Sequence, residues 1–492
     1  MATLSPLLPL DDTSLLREAA LIGGEWVAAK AVADAIQVID PASGETLGAV
    51  PDCGTAETNA AIAAAEAAWP AWRARTAHDR AKLLEAWHAL VLTHAEDLAR
   101  IMTAEQGKPL AEARGEIAYA ASFIKWFAEE GRRVGARNVA SPETSRRVLV
   151  FVEPVGVSAA ITPWNFPAAM ITRKCAPALA AGCPVVIKPS DLTPFTALAL
   201  ADLAQRAGIP AGVVNVVTGR PEAIGNAICA SPAVRKLSFT GSTRVGSLLM
   251  SQCAGTLKRL SFELGGNAPL IVFEDADLDL AVRATMVSKF RNGGQTCVCA
   301  NRVLVHDGVY DEFARRLGEA VSALHVAPGF DPSSTVGPLI NAAAVAKVER
   351  HLEDALSRGG KVVAQGSGRE DANFVRPVVL TEAETGMAFA TEETFGPIAP
   401  LFRFSAEDEA LRMANDTPYG LASYFFTRDL ARAFRVAEGL EAGMVALNTG
   451  SIAMEMAPFG GIKQSGLGRE GGQVGIEEYL ETKAFHIGGL EG

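Results

Sequence analysis

Between Gly156 and Asp275 the chain repeats one phrase: a short apolar run rich in β-branched residues, followed by a stretch with helical spacing. The apolar runs are GVSAAIT, PVVIKP, VVNVVTG, KLSFTG and PLIVFED, and helices are expected at 167–182, 194–207, 221–231 and 244–256. Strands separated by helices cannot form hairpins, so they are expected to run parallel and to bury both faces. The expectation is a doubly wound α/β domain. A second alternating run follows Asp277, with strand candidates NRVLVH, KVVA, RPVVLTE, PLFRF and GMVALN. Helices are expected there at 277–290, 309–324, 341–357, 406–414 and 428–438, which makes a second α/β domain.

The flanks read differently. Residues 55–131 carry apolar residues at three- and four-residue spacing, with Thr55 as a helix N-cap and Gly107 as a stop. RRVLVFVEPVG, within 133–153, is β-prone and suggests a hairpin or edge element, and the C-terminal GREGGQVGIEEYLETKAFHIGG ends in a stretch able to pair with it. The 492 residues have a net charge of −11, which argues against nucleic acid as the main partner. Seven cysteines without regular spacing do not read as a secreted disulfide framework and point to a reducing, cytoplasmic setting. The N-terminus lacks a basic, uninterrupted apolar leader, and no apolar run reaches the roughly 20 residues of a bilayer span.

Several short segments can carry chemistry, each with a plainer reading beside it. In GGQTCVCAN, Cys297 follows glycines that let backbone approach a ligand; it is a nucleophile or a small buried apolar residue. Cys299 makes a Cys-x-Cys pair, but a closed metal site needs about four ligands and none lies near in sequence, so no metal is assigned. In FELGGNAP, Glu263 is a general base or an ion-paired acid. In ITPWNFP two prolines restrict the backbone around Trp164 and Asn165, whose carboxamide either donates to a developing oxyanion or satisfies its own turn. FTGSTRVG places Gly241 and Gly246 where a helix N-terminus can meet a pyrophosphate, and VVIKPSDLTP ends a strand at Lys188, with Ser190 and Asp191 just beyond. A strand–turn–helix without a ligand and a surface turn are the plainer readings of those two.

Taken together and in order, TPWNFP, KPSDLTP, FTGSTRVG, FELGGN, GGQTCVCAN, EETFGP and PFGGIKQSGLGREG resemble the aldehyde dehydrogenase superfamily over nearly the whole chain. The resemblance implies a Rossmann-like NAD-binding domain from 1–132 and 151–262, an α/β catalytic domain from 263–472, and a small β oligomerisation arm from 133–150 and 473–492. It implies a homo-oligomer, dimer or tetramer, acting on a small aldehyde. Cys297 would attack the carbonyl, and Asn165 with the Cys297 N–H would hold the oxyanion. Hydride would leave to the nicotinamide, and water activated by Glu263 would hydrolyse the thioester.

The same similarity assigns Trp164, Lys188, Gly241, Ser242, Leu264, Glu393 and Phe395 to the cofactor. Asp191 favours NAD, because a carboxylate accepts from a ribose 2′-hydroxyl and repels a 2′-phosphate; Lys188 and Ser190 leave NADP open. Within the superfamily the chain is most similar to succinate-semialdehyde dehydrogenases, which makes Arg173 and Arg291 a guanidinium pair for a distal carboxylate unless either pairs with a protein acid. Ala453 departs from a usual Ser there. With Met454 and Met456 it suggests a more apolar wall that also admits glutarate semialdehyde or another aldehyde. Cys299 resembles a thiol that bridges to Cys297 on oxidation. A thiol esterase using Cys297 and Glu263, or a binding protein that keeps the fold, are the readings from other classes.

Overall fold

The computed structural model describes residues 8–29, 31 and 34–490; the first seven residues of the N-terminal stretch and the last two of the expected arm lie outside them. Two sheets carry the fold. The larger has eight strands in the order Glu25–Ala28, Ala19–Ile22, Val214–Val216, Val185–Lys188, Val157–Ile161, Val234–Thr240, Arg259–Glu263 and Gly466–Leu467. The five strands from Val214–Val216 to Arg259–Glu263 are parallel. Val185–Lys188 is buried along its whole length, as a strand covered on both faces must be.

The winding of this sheet creates the place for a site. From Val157–Ile161 the chain adds strands on one side, then returns to lay Val234–Thr240 and Arg259–Glu263 on the other. Where the order reverses, crossovers diverge and leave a crevice at the carboxyl ends of the strands. Those ends run directly into Trp164 and Asn165, into Gly241 and Ser242, and into Glu263 and Leu264.

The second sheet has the order Lys361–Gln365, Val378–Ala383, Ile398–Phe404, Ala300–His306, Ala268–Val272, Ala422–Phe426 and Met444–Leu447. All pairs are parallel except the antiparallel edge made by Lys361–Gln365. Only residues 264–267 separate the last parallel strand of the first sheet from Ala268–Val272 of the second. Gly466–Leu467 returns to pair with Phe262 and Glu263, so the stretch 263–472 does not keep to one sheet.

Helices Ala77–Thr93 and Leu110–Glu130 cover the first sheet's helix Ala169–Ala181. Their apolar faces meet around Trp87, Phe123, Phe127, Leu179 and Leu198, all buried, and Trp87 Nε1 donates to the Leu200 carbonyl at 3.0 Å. Thr55 is the first helical residue rather than the cap: Gly54 takes that place, and Glu57 bonds back to the Gly54 N–H at 2.9 Å. Gly107 ends the helix Ala95–Gln106 at φ +92°, with Pro338 and Pro41 where a Cβ would stand. Strand Arg147–Pro154 pairs antiparallel with Arg137–Val139 and, along its full length, with Leu480–Ile487. No helix among the described residues is long and apolar enough to cross a membrane.

Candidate active site

A cavity of about 390 Å³ opens at the strand-order reversal, between the two sheets. It brings Trp164, Asn165, Arg173, Gly241, Ser242, Leu264, Arg291, Cys297, Glu393 and Phe395 to one surface. Lys188, Ser190, Asp191, Gly246, Glu263 and Cys299 do not line it.

Asn165 is held from both ends. Its backbone carbonyl accepts from Lys108 Nζ at 2.9 Å and from Asn292 Nδ2 at 3.0 Å, while its own Nδ2 donates to the Gln295 carbonyl at 3.0 Å. One amide hydrogen is thereby used for orientation, and the second remains for an acceptor. Lys108 also pairs with Glu116 at 2.5 Å, both buried, and Glu116 caps the next helix by accepting from the N–H groups of Ala168 and Ala169. None of Lys108, Glu116, Asn292 or Gln295 stood out in the sequence. Lys108 and Glu116 lie in a helical stretch whose spacing marks core positions, and only the fold carries them to the loop.

Cys297 lies between Arg291–Gly294 and strand Ala300–His306, after a turn in which Asn292, Gly293 and Gly294 all have positive φ. Burial pushes its thiol up to about 12; Arg173 and Arg291 pull it down, while Glu393 and Glu263 push it further up. The two glycines after Leu264 have a steric reason. A Cβ on Gly266 would stand 2.4 Å from the Cys297 carbonyl oxygen, and one on Gly265 would crowd Glu393. Bare backbone lets the linker pass directly beneath the cysteine.

Glu263 sits behind this wall, buried, and its Oε2 has no hydrogen bond among the described residues. Burial, reinforced by Glu470, raises its carboxyl well above the usual range despite Arg173 and Lys174. Glu263 also acts electrostatically on Cys297. Burial therefore disfavours the charged form of both groups, and raises the basicity of the Glu263 carboxylate once it is ionised.

On the dinucleotide side, Ser242 caps helix Thr243–Cys253 by accepting from the Val245 N–H at 3.4 Å, at the entrance to the cavity. That helix start can receive an anion. Gly246 serves packing: a Cβ there would strike the Leu264 side chain at 2.5 Å. Lys188 is buried with Nζ 3.8 Å from Asp191, whose side chain is partly exposed, and Ser190 Oγ accepts from the Leu192 N–H. Glu393 accepts from the Gly266 N–H at 3.2 Å, and burial pushes its carboxyl up to about 7. Phe395, at φ +56°, meets the Trp164 ring edge to face at 5.6 Å. Lys347 also lines the wall near Glu393.

The two arginines differ. Arg173 is buried, its Nε 2.6 Å from Glu470 and its guanidinium 3.9 Å from the Phe459 ring, so it is already ion-paired inside the protein, with Lys174 sharing the same carboxylate. Arg291 is exposed at the rim, lies 5.1 Å over Phe166, and makes no ion pair among the described residues. The Tyr119 hydroxyl is buried at the cavity wall without a hydrogen bond among the described residues, under the influence of both cations. Tyr119 carried no sequence signal beyond its place in an apolar helix. Ala453 lines the cavity, whereas Met454 and Met456 stand half-exposed outside it, so they do not supply the apolar wall expected of them. The Cys299 thiol faces Lys289, whose Nζ lies 3.3 Å from Sγ, rather than the cavity.

A thiol, a positioned carboxamide and a buried carboxylate around a dinucleotide-type crevice define a site for covalent acyl chemistry coupled to redox. Comparison with known proteins is consistent with this. The model of the aldehyde dehydrogenase family matches residues 26–485, and the chain belongs to that family. It is 58% identical to the succinate-semialdehyde dehydrogenase [NADP(+)] GabD of Escherichia coli, over 98% of this chain and 100% of that one. It is 57% identical to a glutarate-semialdehyde dehydrogenase of Pseudomonas putida, over 98% and 100%. Among solved structures it superposes on a succinate-semialdehyde dehydrogenase of Burkholderia pseudomallei with a TM-score of 0.96 and 58% identity, covering 97% of this chain and 99% of that one.

Proposed function

We propose that this chain oxidises succinate semialdehyde to succinate with a nicotinamide dinucleotide, NAD being preferred. The observation that carries this is the arrangement of one cavity: Cys297 and Asn165 at its floor, and at its rim a guanidinium, Arg291, that makes no ion pair among the described residues. An aldehyde with an anion at its far end fits both ends at once.

The Cys297 thiol gives up its proton and its sulfur adds to the aldehyde carbon. The free amide hydrogen of Asn165 and the Cys297 N–H then hold the oxygen that becomes negative, in a position fixed beforehand by Lys108, Asn292 and Gln295. Ser242 with the start of its helix, Lys188, Asp191, Glu393, Leu264, Trp164 and Phe395 would hold the dinucleotide, which when bound supplies the two-electron acceptor. Ionised Glu263 takes a proton from the water that attacks the thioester, releasing the acid and restoring the thiol.

At the substrate's far end Arg291 and the Tyr119 hydroxyl bind the carboxylate, and Arg173, paired with Glu470, fixes the wall behind it. Ala453 leaves that wall short of a side chain, which favours glutarate semialdehyde as a second substrate. The Asp191 carboxylate supports NAD over NADP. The exposed edge strand Leu480–Ile487 of the arm supports pairing between copies, and seven free thiols support a cytoplasmic setting. The test is initial rate with succinate, glutarate and neutral aldehydes, each with NAD and NADP. Preference for the carboxylated pair with NAD is expected; equal use of neutral aldehydes would overturn the substrate assignment.

A further inference from the structure

Away from the cavity, two cysteines face each other across neighbouring helices. Cys229 lies in the last turn of Pro221–Ala230 and Cys253 is the last residue of Thr243–Cys253. Their sulfurs are 3.4 Å apart, the two thiols hydrogen-bonded to each other, and both side chains are nearly fully buried. We propose that Cys229 and Cys253 are an oxidative modification site that forms a disulfide with a hydroperoxide as oxidant.

Three features favour this. A disulfide needs the sulfurs at about 2.0 Å, so the pair has little more than an ångström to close. The hydrogen bond with Cys229 lowers Cys253, and the Lys258 ammonium, anchored on the Val234 carbonyl at 2.9 Å and on the Ser231 carbonyl, adds to this, while the same contact and burial raise Cys229, so Cys253 is the thiolate of the pair. Only a thin cover separates the pair from solvent: residues 254–257 are exposed, and Leu257 is 91% exposed at φ +50°. Opening that turn admits a small oxidant without unfolding either helix.

The steps balance. The Cys253 thiolate attacks one oxygen of the peroxide; the O–O bond breaks, giving a sulfenic acid and, with a proton, water. The Cys229 thiol then attacks the sulfenic sulfur, losing its proton, and a second water leaves. Two thiols lose two electrons and the peroxide takes them.

The bond is placed to stabilise rather than to gate. It would close a loop of 24 residues and pin the far end of the helix whose start carries Ser242, about 15 Å away along the axis. The test treats the full-length reduced protein with hydrogen peroxide, alkylates remaining thiols, maps the peptides, and measures thermal unfolding before and after dithiothreitol. A linked 229–253 peptide and a thermal midpoint raised by several degrees are expected, both reversed by dithiothreitol and both absent in Cys229→Ser and in Cys253→Ala. Finding both thiols alkylated under peroxide that oxidises Cys297, or finding them as separate sulfinic acids, would overturn the site; a bond without a rise in midpoint would overturn its stabilising role.

Discussion

The floor and the rim of the cavity are built on opposite principles. At the floor, Asn165 is buried and Cys297 half-buried, with buried Glu263 behind them, and a further layer of buried groups holds Asn165 and its loop: Lys108, Glu116, Asn292 and Gln295. At the rim, Arg291 is in solvent, over the Phe166 ring and without an ion pair among the described residues. Buried polar groups act at low dielectric and lose much when one is removed, whereas an exposed charge is screened and contributes modestly. Chemistry belongs to the floor and selectivity to the rim.

That contrast orders the expected effects. Cys297→Ala should abolish turnover, by about 10⁶-fold in kcat, with substrate-independent loss. Glu263→Gln should slow steady-state oxidation by 10²- to 10⁴-fold, roughly the range of a general base, while a single turnover of cofactor reduction survives. Because burial raises the Glu263 carboxyl, the wild-type hydrolytic rate should climb with pH as that proton leaves, and the variant's profile should be flat over the same range. The linkage has the opposite sign for stability: the folded protein keeps a proton the unfolded chain releases, so this group's contribution falls as pH rises above the ordinary carboxylate range.

Asn165→Ala should cost about 10²- to 10³-fold in kcat with little change in KM, the size of one lost oxyanion donor. At the rim, Arg291→Ala should raise KM for carboxylated aldehydes about tenfold and leave neutral ones unchanged, and Tyr119→Phe should do the same to a smaller degree. Arg173→Ala, by contrast, should lower expression or stability, because it strips Glu470 of a buried partner. If Arg173→Ala instead matched Arg291→Ala in folding normally and sparing neutral substrates, the division between wall and rim would fail. The smallest effect is expected from Asp191→Ala, a shift of about tenfold in relative kcat/KM toward NADP.

Sequence reading went furthest where local chemistry repeats. The alternation from Gly156 onward was legible because parallel strands must be apolar and their crossovers helical, and the loops at their carboxyl ends followed from that. Two strands next to the site were not read as strands. Arg259–Glu263 mixes charge with apolar residues and ends in the acid of the site, and Ala422–Phe426 has only its aromatics, without a β-branched residue, to mark it. Arg173 and Arg291 look alike in sequence; Glu470 lies nearly 300 positions from Arg173, and nothing local announces that it pairs with one of them. Separations of 57 and 52 positions likewise hid Lys108 and Glu116 from the loop they hold.

The central claim is that an acyl group resides on Cys297 until Glu263 directs water to it. Intact-protein and peptide mass spectrometry of Glu263→Gln, mixed with succinate semialdehyde and NAD and quenched in acid, addresses it directly. The account predicts a succinyl thioester confined to the peptide containing Cys297, formed together with one equivalent of NADH. An unmodified Cys297 after that burst, or acyl mass on any other residue, would contradict it.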